Sequence, residues 1–211
     1  MKKYKNYLIL VIFTMGIQAL MYFSIKSIIT NYNMINSVIK SVPLIKHFVL
    51  FYDLWYPFII INTFIVYKYD KKLFNFLIVT MLIGAFMSHV TFIIYPTMLE
   101  RPTIEVKNII DWILDFTYKT DTPAVNCLPS MHCVYCFITS YYILKIENMN
   151  PKIKLSIVTF SILIVLSTIF IKQHIVEDVI LALIYTIVAI IIVNCNKNLI
   201  NKIFNKLKLN L

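Results

Sequence analysis

The sequence has almost no glycine: two residues in 211, Gly16 and Gly84, set far apart. A dinucleotide fingerprint and a P-loop both need clustered glycines to let backbone N–H groups close around phosphate, so both are excluded. Any phosphate bound by this chain must be held by side chains and helix ends. Charge is scarce as well, at 14% of residues against 60% hydrophobic. With a mean hydropathy of +0.78, too few polar side chains remain to cover a water-soluble domain, and the chain falls in the helical membrane class. The four cysteines, at 127, 133, 136 and 195, make no disulfide framework. Cys127, His132, Cys133 and Cys136 lack the separated pairs of a structural zinc site, so they read as small apolar packing residues and no metal is expected. Arginine is the last shortage, since Arg101 stands alone among twenty basic residues.

What is present is a series of apolar runs. A Lys2-Lys3-Tyr4-Lys5 start leads into a run from 7 to 23 that is similar to a signal peptide, but no small-residue cleavage site follows, which predicts a retained first helix. Residues 24–47 are more polar; Ile28, Tyr32, Ile35, Ile39 and Val42 recur at helical spacing and predict a segment lying along the membrane surface. Further spans are predicted at 48–67, 73–95, 129–146, 153–171 and 176–195, each near the ~20 residues that a hydrocarbon core requires. The one long polar segment, 96–126, carries Glu100, Arg101, Glu105, Asp111, Asp115 and Asp121. Within it Val106, Ile109, Ile110, Ile113 and Leu114 share a helical face beside Trp112, which predicts a short interfacial helix. The expected architecture is all-α: one integral membrane domain over 1–211, built as a six-helix transmembrane bundle.

The charge of +10 is mostly a topology signal. Lys2, Lys3 and Lys5, then Lys68, Lys71 and Lys72, then Lys145, Lys152 and Lys154, then Lys197, Lys202, Lys206 and Lys208 all fall on one side of the six spans, thirteen of the twenty basic residues. The positive-inside tendency makes that side, with both termini, cytoplasmic. No nucleic-acid partner is needed to explain the charge. Arg101, His132, His174 and Asp178 all fall on the opposite side, although six spans offered many ways to scatter them.

Those four residues carry the chemistry. Pro129 suits the first position of a helix, where its missing N–H would have had no partner. Ser130 and His132 then stand in the first turn, where unpaired N–H groups and the helix dipole favour an anion. An imidazole there is placed to pass a proton to a departing oxygen; the plainer alternative is a Ser130 cap beside an interfacial histidine. His174 and Asp178 are four apart and share a face if their helix begins a little before His174. A carboxylate on one imidazole nitrogen would fix the tautomer and leave the other nitrogen as a nucleophile, with a structural hydrogen bond as the alternative. Lys172 is a candidate ligand for a phosphate oxygen, or a snorkelling helix end. Arg101 offers a planar fork that lysine cannot reproduce. Asp53 and His89 are expected to be satisfied locally rather than to line a pocket.

Arg101-Pro102, then Pro129-Ser130-Met131-His132, then Ser167-Thr168 with His174 and Asp178 beyond, resembles the type 2 phosphatidic acid phosphatase superfamily, whose motifs read K-x6-R-P, P-S-G-H and S-R-x5-H-x3-D. The Leu128-Pro129-Ser130-x-His132 form and the run from Lys172 to Val179 look most like the inositol phosphorylceramide synthase branch, and sphingomyelin synthases use a similar His, His and Asp set. The resemblance covers 101–178, within a phosphatase or phosphotransferase core expected over 96–195. It implies that His174 attacks phosphorus, Asp178 orients it, His132 protonates the leaving group, and Arg101 and Ser130, with Lys172 as partial compensation, hold the phosphoryl oxygens. No cofactor is implied. Three positions depart from the pattern: Ile94 replaces the first lysine, Met131 the glycine and Thr168 the second arginine. The expected function is a lipid phosphatase or phosphotransferase of the cell membrane, working on a phosphorylated lipid from the non-cytoplasmic side. The alternative is a non-catalytic phospholipid-binding or transport protein with a degenerate site.

Overall fold

In a hydrocarbon layer the backbone finds no water, so an apolar chain closes its hydrogen bonds within helices. The structure, a computed structural model, describes residues 5–35 and 42–207. In chain order the helices are α1 (Lys5–Ile28), α2 (Val49–Asp53), α3 (Trp55–Tyr69), α4 (Lys71–Ile94), α5 (Ile109–Thr120), α6 (Met131–Lys145), α7 (Pro151–Phe170), α8 (Val176–Cys195) and α9 (Lys197–Lys206). Among the described residues, five segments are long and apolar enough to cross a membrane: Asn6–Ile28, Lys46–Tyr69, Lys71–Ile94, Pro151–Phe170 and Val176–Cys195. The chain is an all-α membrane protein.

Local chemistry sets the breaks. Pro57 has no N–H to give to the Asp53 carbonyl four residues back, so the second span divides at Leu54 into α2 and α3. The Asp70 carboxylate caps α4 by accepting the Leu73 N–H at 2.8 Å. Asn108 caps α5 and Asn150 caps α7, the latter with Pro151 in its first turn.

The segment predicted as the fourth span folds as α6, which at 15 residues is about 22 Å long and shorter than α4, α7 and α8. It is the central helix, packed against α3, α4, α7 and α8. Gly84 permits this: a Cβ there would lie 2.9 Å from Val134 Cγ1 and 3.2 Å from Ile138 Cδ1. Thr80 and Tyr142 hydroxyls, 2.7 Å apart, join the same two helices nearer the start of α4, so α4 and α6 run antiparallel. Tyr7 packs on Tyr67 and Phe74, and the Lys197 ammonium lies over the Phe76 ring. The start of α1, the α3–α4 turn, the end of α6 and α9 therefore gather at one end of the bundle.

One expectation is corrected. Helical spacing from Ile28 to Val42 predicted a helix along the membrane surface, but α1 ends at Ile28, and Asn33–Ile35 forms a strand, β1. It pairs in parallel with β2 (Thr97–Leu99), Asn33 opposite Thr97. The Pro96 carbonyl accepts both the backbone and side-chain N–H of Asn33, at 2.9 and 3.1 Å, and this distant pairing overrides the local period. Ile39 lies outside the described residues.

The short helix expected in the polar segment is present as α5, although its apolar residues divide between two faces. Leu114 and Tyr118 are buried against the body, whereas Ile109, Trp112 and Phe116 are exposed.

Candidate active site

Opposite the basic end, the starts of α6 and α8 converge. The Ser130 N–H donates to the Asp178 carbonyl at 3.3 Å, which brings two helix N-termini, each carrying a partial positive charge, to one cavity. The cavity encloses about 360 Å³, and Arg101, His132 and His174 all line it. The ring centroids of His132 and His174 are 6.2 Å apart.

His132 is the second residue of α6. Its ring lies between Tyr52 and Trp55, with each centroid at 4.4 Å, and Trp55 Nε1 donates to the His132 carbonyl at 3.2 Å. Pro129 does not occupy the first helical position as expected. Ser130 takes the N-cap, and its hydroxyl accepts the Cys133 N–H at 3.4 Å. Fully buried and engaged as a cap, Ser130 does not line the cavity.

His174 stands before α8, whose N-cap is Ile175, so the His174/Asp178 pair bridges a helix start instead of sharing a helical face. Asp178 Oδ2 accepts from His174 Nδ1 at 3.1 Å and from the Ile175 N–H at 3.0 Å. Asp178 is completely buried behind the imidazole. This leaves Nε2 of His174 as the nitrogen not tied to the carboxylate.

Arg101 is held from several sides. Its Nη2 meets Asp121 Oδ2 at 2.6 Å, and Nη1 donates to the Tyr118 and Asp121 carbonyls at 3.3 and 3.4 Å. The guanidinium carbon sits 5.1 Å from the centre of the Tyr118 ring. Asp121 also accepts from the Tyr22 hydroxyl at 2.8 Å and pairs with Lys26 at 3.6 Å.

Lys172 is not brought to the cavity. Its backbone turns through a positive φ of 57°, and its ammonium donates to the Val42 carbonyl. Burial pushes its pKa down. Of the departing positions, Ile94 is exposed on the bundle surface and Thr168 is fully buried, its hydroxyl donating to the Val165 carbonyl at 2.8 Å. Met131 lines the cavity.

His89 does not line the cavity, and its Nδ1 lies 2.6 Å from the Ala85 carbonyl. Asp53, by contrast, does line the cavity, where it accepts from the Thr117 hydroxyl at 3.1 Å. Sequence reading missed the Tyr52–Trp55 clamp, the Asp121 partner of Arg101, and the presence of Asn126 and Gln173 on the cavity wall. Gln173 had a signal in its place beside His174; the others meet only through the fold. The wall facing the histidines comes from α1 and α2, through Gln18, Tyr22, Tyr52 and their neighbours.

The family model described as the PAP2 superfamily matches residues 72–201, from α4 into α9. No curated protein and no solved structure matches the chain.

Proposed function

Because the chain belongs to the PAP2 superfamily, whose model spans more than half of it, we propose that it is a membrane lipid-phosphate phosphatase or phosphotransferase working through a phosphohistidine. Its class is that of the phosphoric ester hydrolases and phosphotransferases, and its substrate is a phosphorylated lipid. The observation that carries this reading is the pair of imidazoles, 6.2 Å apart on one cavity, with Asp178 bonded behind only one of them.

Asp178 accepts the proton-bearing Nδ1 of His174, so Nε2 carries the lone pair. Nε2 attacks phosphorus, the bond from phosphorus to the lipid oxygen breaks, and His132 gives its proton to that oxygen. A nucleophile about 3–3.5 Å from phosphorus and a donor about 2.6–3.2 Å from the leaving oxygen place one phosphate ester in contact with both rings. In the second half, His132 takes a proton from water or from an alcohol acceptor, whose oxygen attacks phosphorus and frees His174. The N-termini of α6 and α8, together with Arg101, offset the phosphoryl charge. Lys172 has no part in this reading.

In this reading α6 counts as a span beside the five long segments, both termini are cytoplasmic, and the cavity opens on the non-cytoplasmic side of the cell membrane, where the outer leaflet supplies the lipid. The run around His132 and His174 favours the inositol phosphorylceramide synthase-like branch, in which the acceptor is an alcohol. The test is covalent labelling: purified protein in detergent should take up label from a phosphorylated lipid in an acid-labile, base-stable form. His174→Ala should abolish it. Full turnover by His174→Ala would defeat the proposal. Phosphate-dependent lipid binding without turnover would support a non-catalytic binder instead, a reading favoured by the neutralisation of Arg101 by Asp121.

A further inference from the structure

Two cationic positions of the family pattern are filled here by Ile94 and Thr168, neither of which lines the cavity, and Lys172 is turned away from it. The phosphoryl oxygens must therefore find other donors. Among the described residues, the buried polar side chains that lack a hydrogen-bond partner and also line this cavity are Arg101, through Nε, Asn126, through both amide atoms, and Gln173, through Nε2. Asn126 is 3% exposed and Gln173 2%. Buried donors are almost always paired, so unpaired ones that share a cavity mark where a ligand makes up the bonds.

The backbone holds both amides in place. Asn126 has a φ of 58°, and its N–H donates to the Thr97 carbonyl at 2.9 Å. The Gln173 N–H donates to the Thr168 carbonyl at 2.9 Å, directly before His174. The two residues belong to different segments, one leading into α6 and the other joining α7 to α8.

We infer that Asn126 and Gln173 are phosphoryl-binding residues, whose amide N–H groups hold the phosphate-ester oxygens between His132 and His174. The assignment rests on the proposed phosphoryl chemistry but is tested apart from it. Neutral amides donate to an anion without adding charge, so the cavity holds its anion mainly by hydrogen bonds and helix ends. Inorganic phosphate offers the same oxygens as a lipid headgroup and serves as the probe.

In the detergent-purified full chain, phosphate should protect His132 and His174 from acylation by diethylpyrocarbonate, read by mass spectrometry. Asn126→Gly suits the positive φ, and Gln173→Met keeps length and shape. Each should raise the half-protecting phosphate concentration about tenfold or more, as loss of a hydrogen bond to a charged group does. Asn126→Asp and Gln173→Glu keep the side-chain shape while facing the anion with an anion, and should abolish protection.

Shifts below twofold in all four variants, or no protection of the wild type, would overturn the inference. Normal labelling of the wild type with unchanged protection in the variants would remove this inference alone. Protection following the expected pattern in a protein that never labels would remove the proposed function alone.

Discussion

The imidazole of His132 stacks on the ring of Tyr52, with centroids 4.4 Å apart and planes 25° from parallel. Trp55 lies equally close, tilted by 45°, and donates to the His132 carbonyl. An imidazole so enclosed has few orientations open to it. Tyr52→Leu keeps an apolar neighbour but removes the flat surface, and should lower kcat about 10–100-fold with a smaller change in KM, because a displacement near 1 Å costs on that order. Steady-state kinetics on a phosphorylated lipid measure the split.

Asp178 serves two donors through one oxygen, His174 Nδ1 and the Ile175 N–H. Asp178→Asn retains the shape, and its side-chain carbonyl can still accept one of them. Turnover should fall about 10²–10⁴-fold, the usual weight of positioned proton-transfer chemistry, while the thermal midpoint moves little. Loss of folded protein without any activity change in the surviving fraction would contradict the positioning role.

Acid should loosen α5 before it unfolds the bundle. The Lys46 ammonium, 2.6 Å away, and the Lys107 N–H hold the Asp111 carboxyl below the usual carboxylate range. A folded pKa below the unfolded one contributes stability above the unfolded value of about 3.9, and this is lost as pH falls through the lower folded value. Between about pH 6 and about pH 3, the wild type should lose more thermal stability than Asp111→Asn, which lacks the titrating group. Parallel curves for the two proteins would count against it.

Gly84 packs against Val134 and Ile138 of α6 with no room for a Cβ. Gly84→Leu should destabilise the protein by about 1–3 kcal/mol, the range for overpacking a core, by pressing on Val134 and Ile138. Because Val134 lies two residues past His132, activity should fall along with the thermal midpoint.

The long helices were legible because each is an apolar run; α9 and the break between α2 and α3 were not. His132, His174, Asp178 and Arg101 were legible for a different reason: the positive-inside count put them on one side before any contact was known. What stayed hidden depended on distance along the chain. β1 carries a helical period, and only its pairing with β2 makes it a strand. Tyr52 lies eighty residues from His132 and Asp121 twenty from Arg101, separations at which no sequence periodicity operates. Lys172 misled because proximity to His174 in sequence says nothing of direction, and its positive φ sends the side chain to Val42.

The cavity has two origins. Arg101, His132 and His174 lie within the stretch that matches the family, whereas the facing wall, from Gln18 to Tyr56, lies outside it. The two histidines and the surface they face are thus encoded in separate parts of one polypeptide that meet at His132, so any exchange of the facing helices must keep the Tyr52 and Trp55 rings against that imidazole.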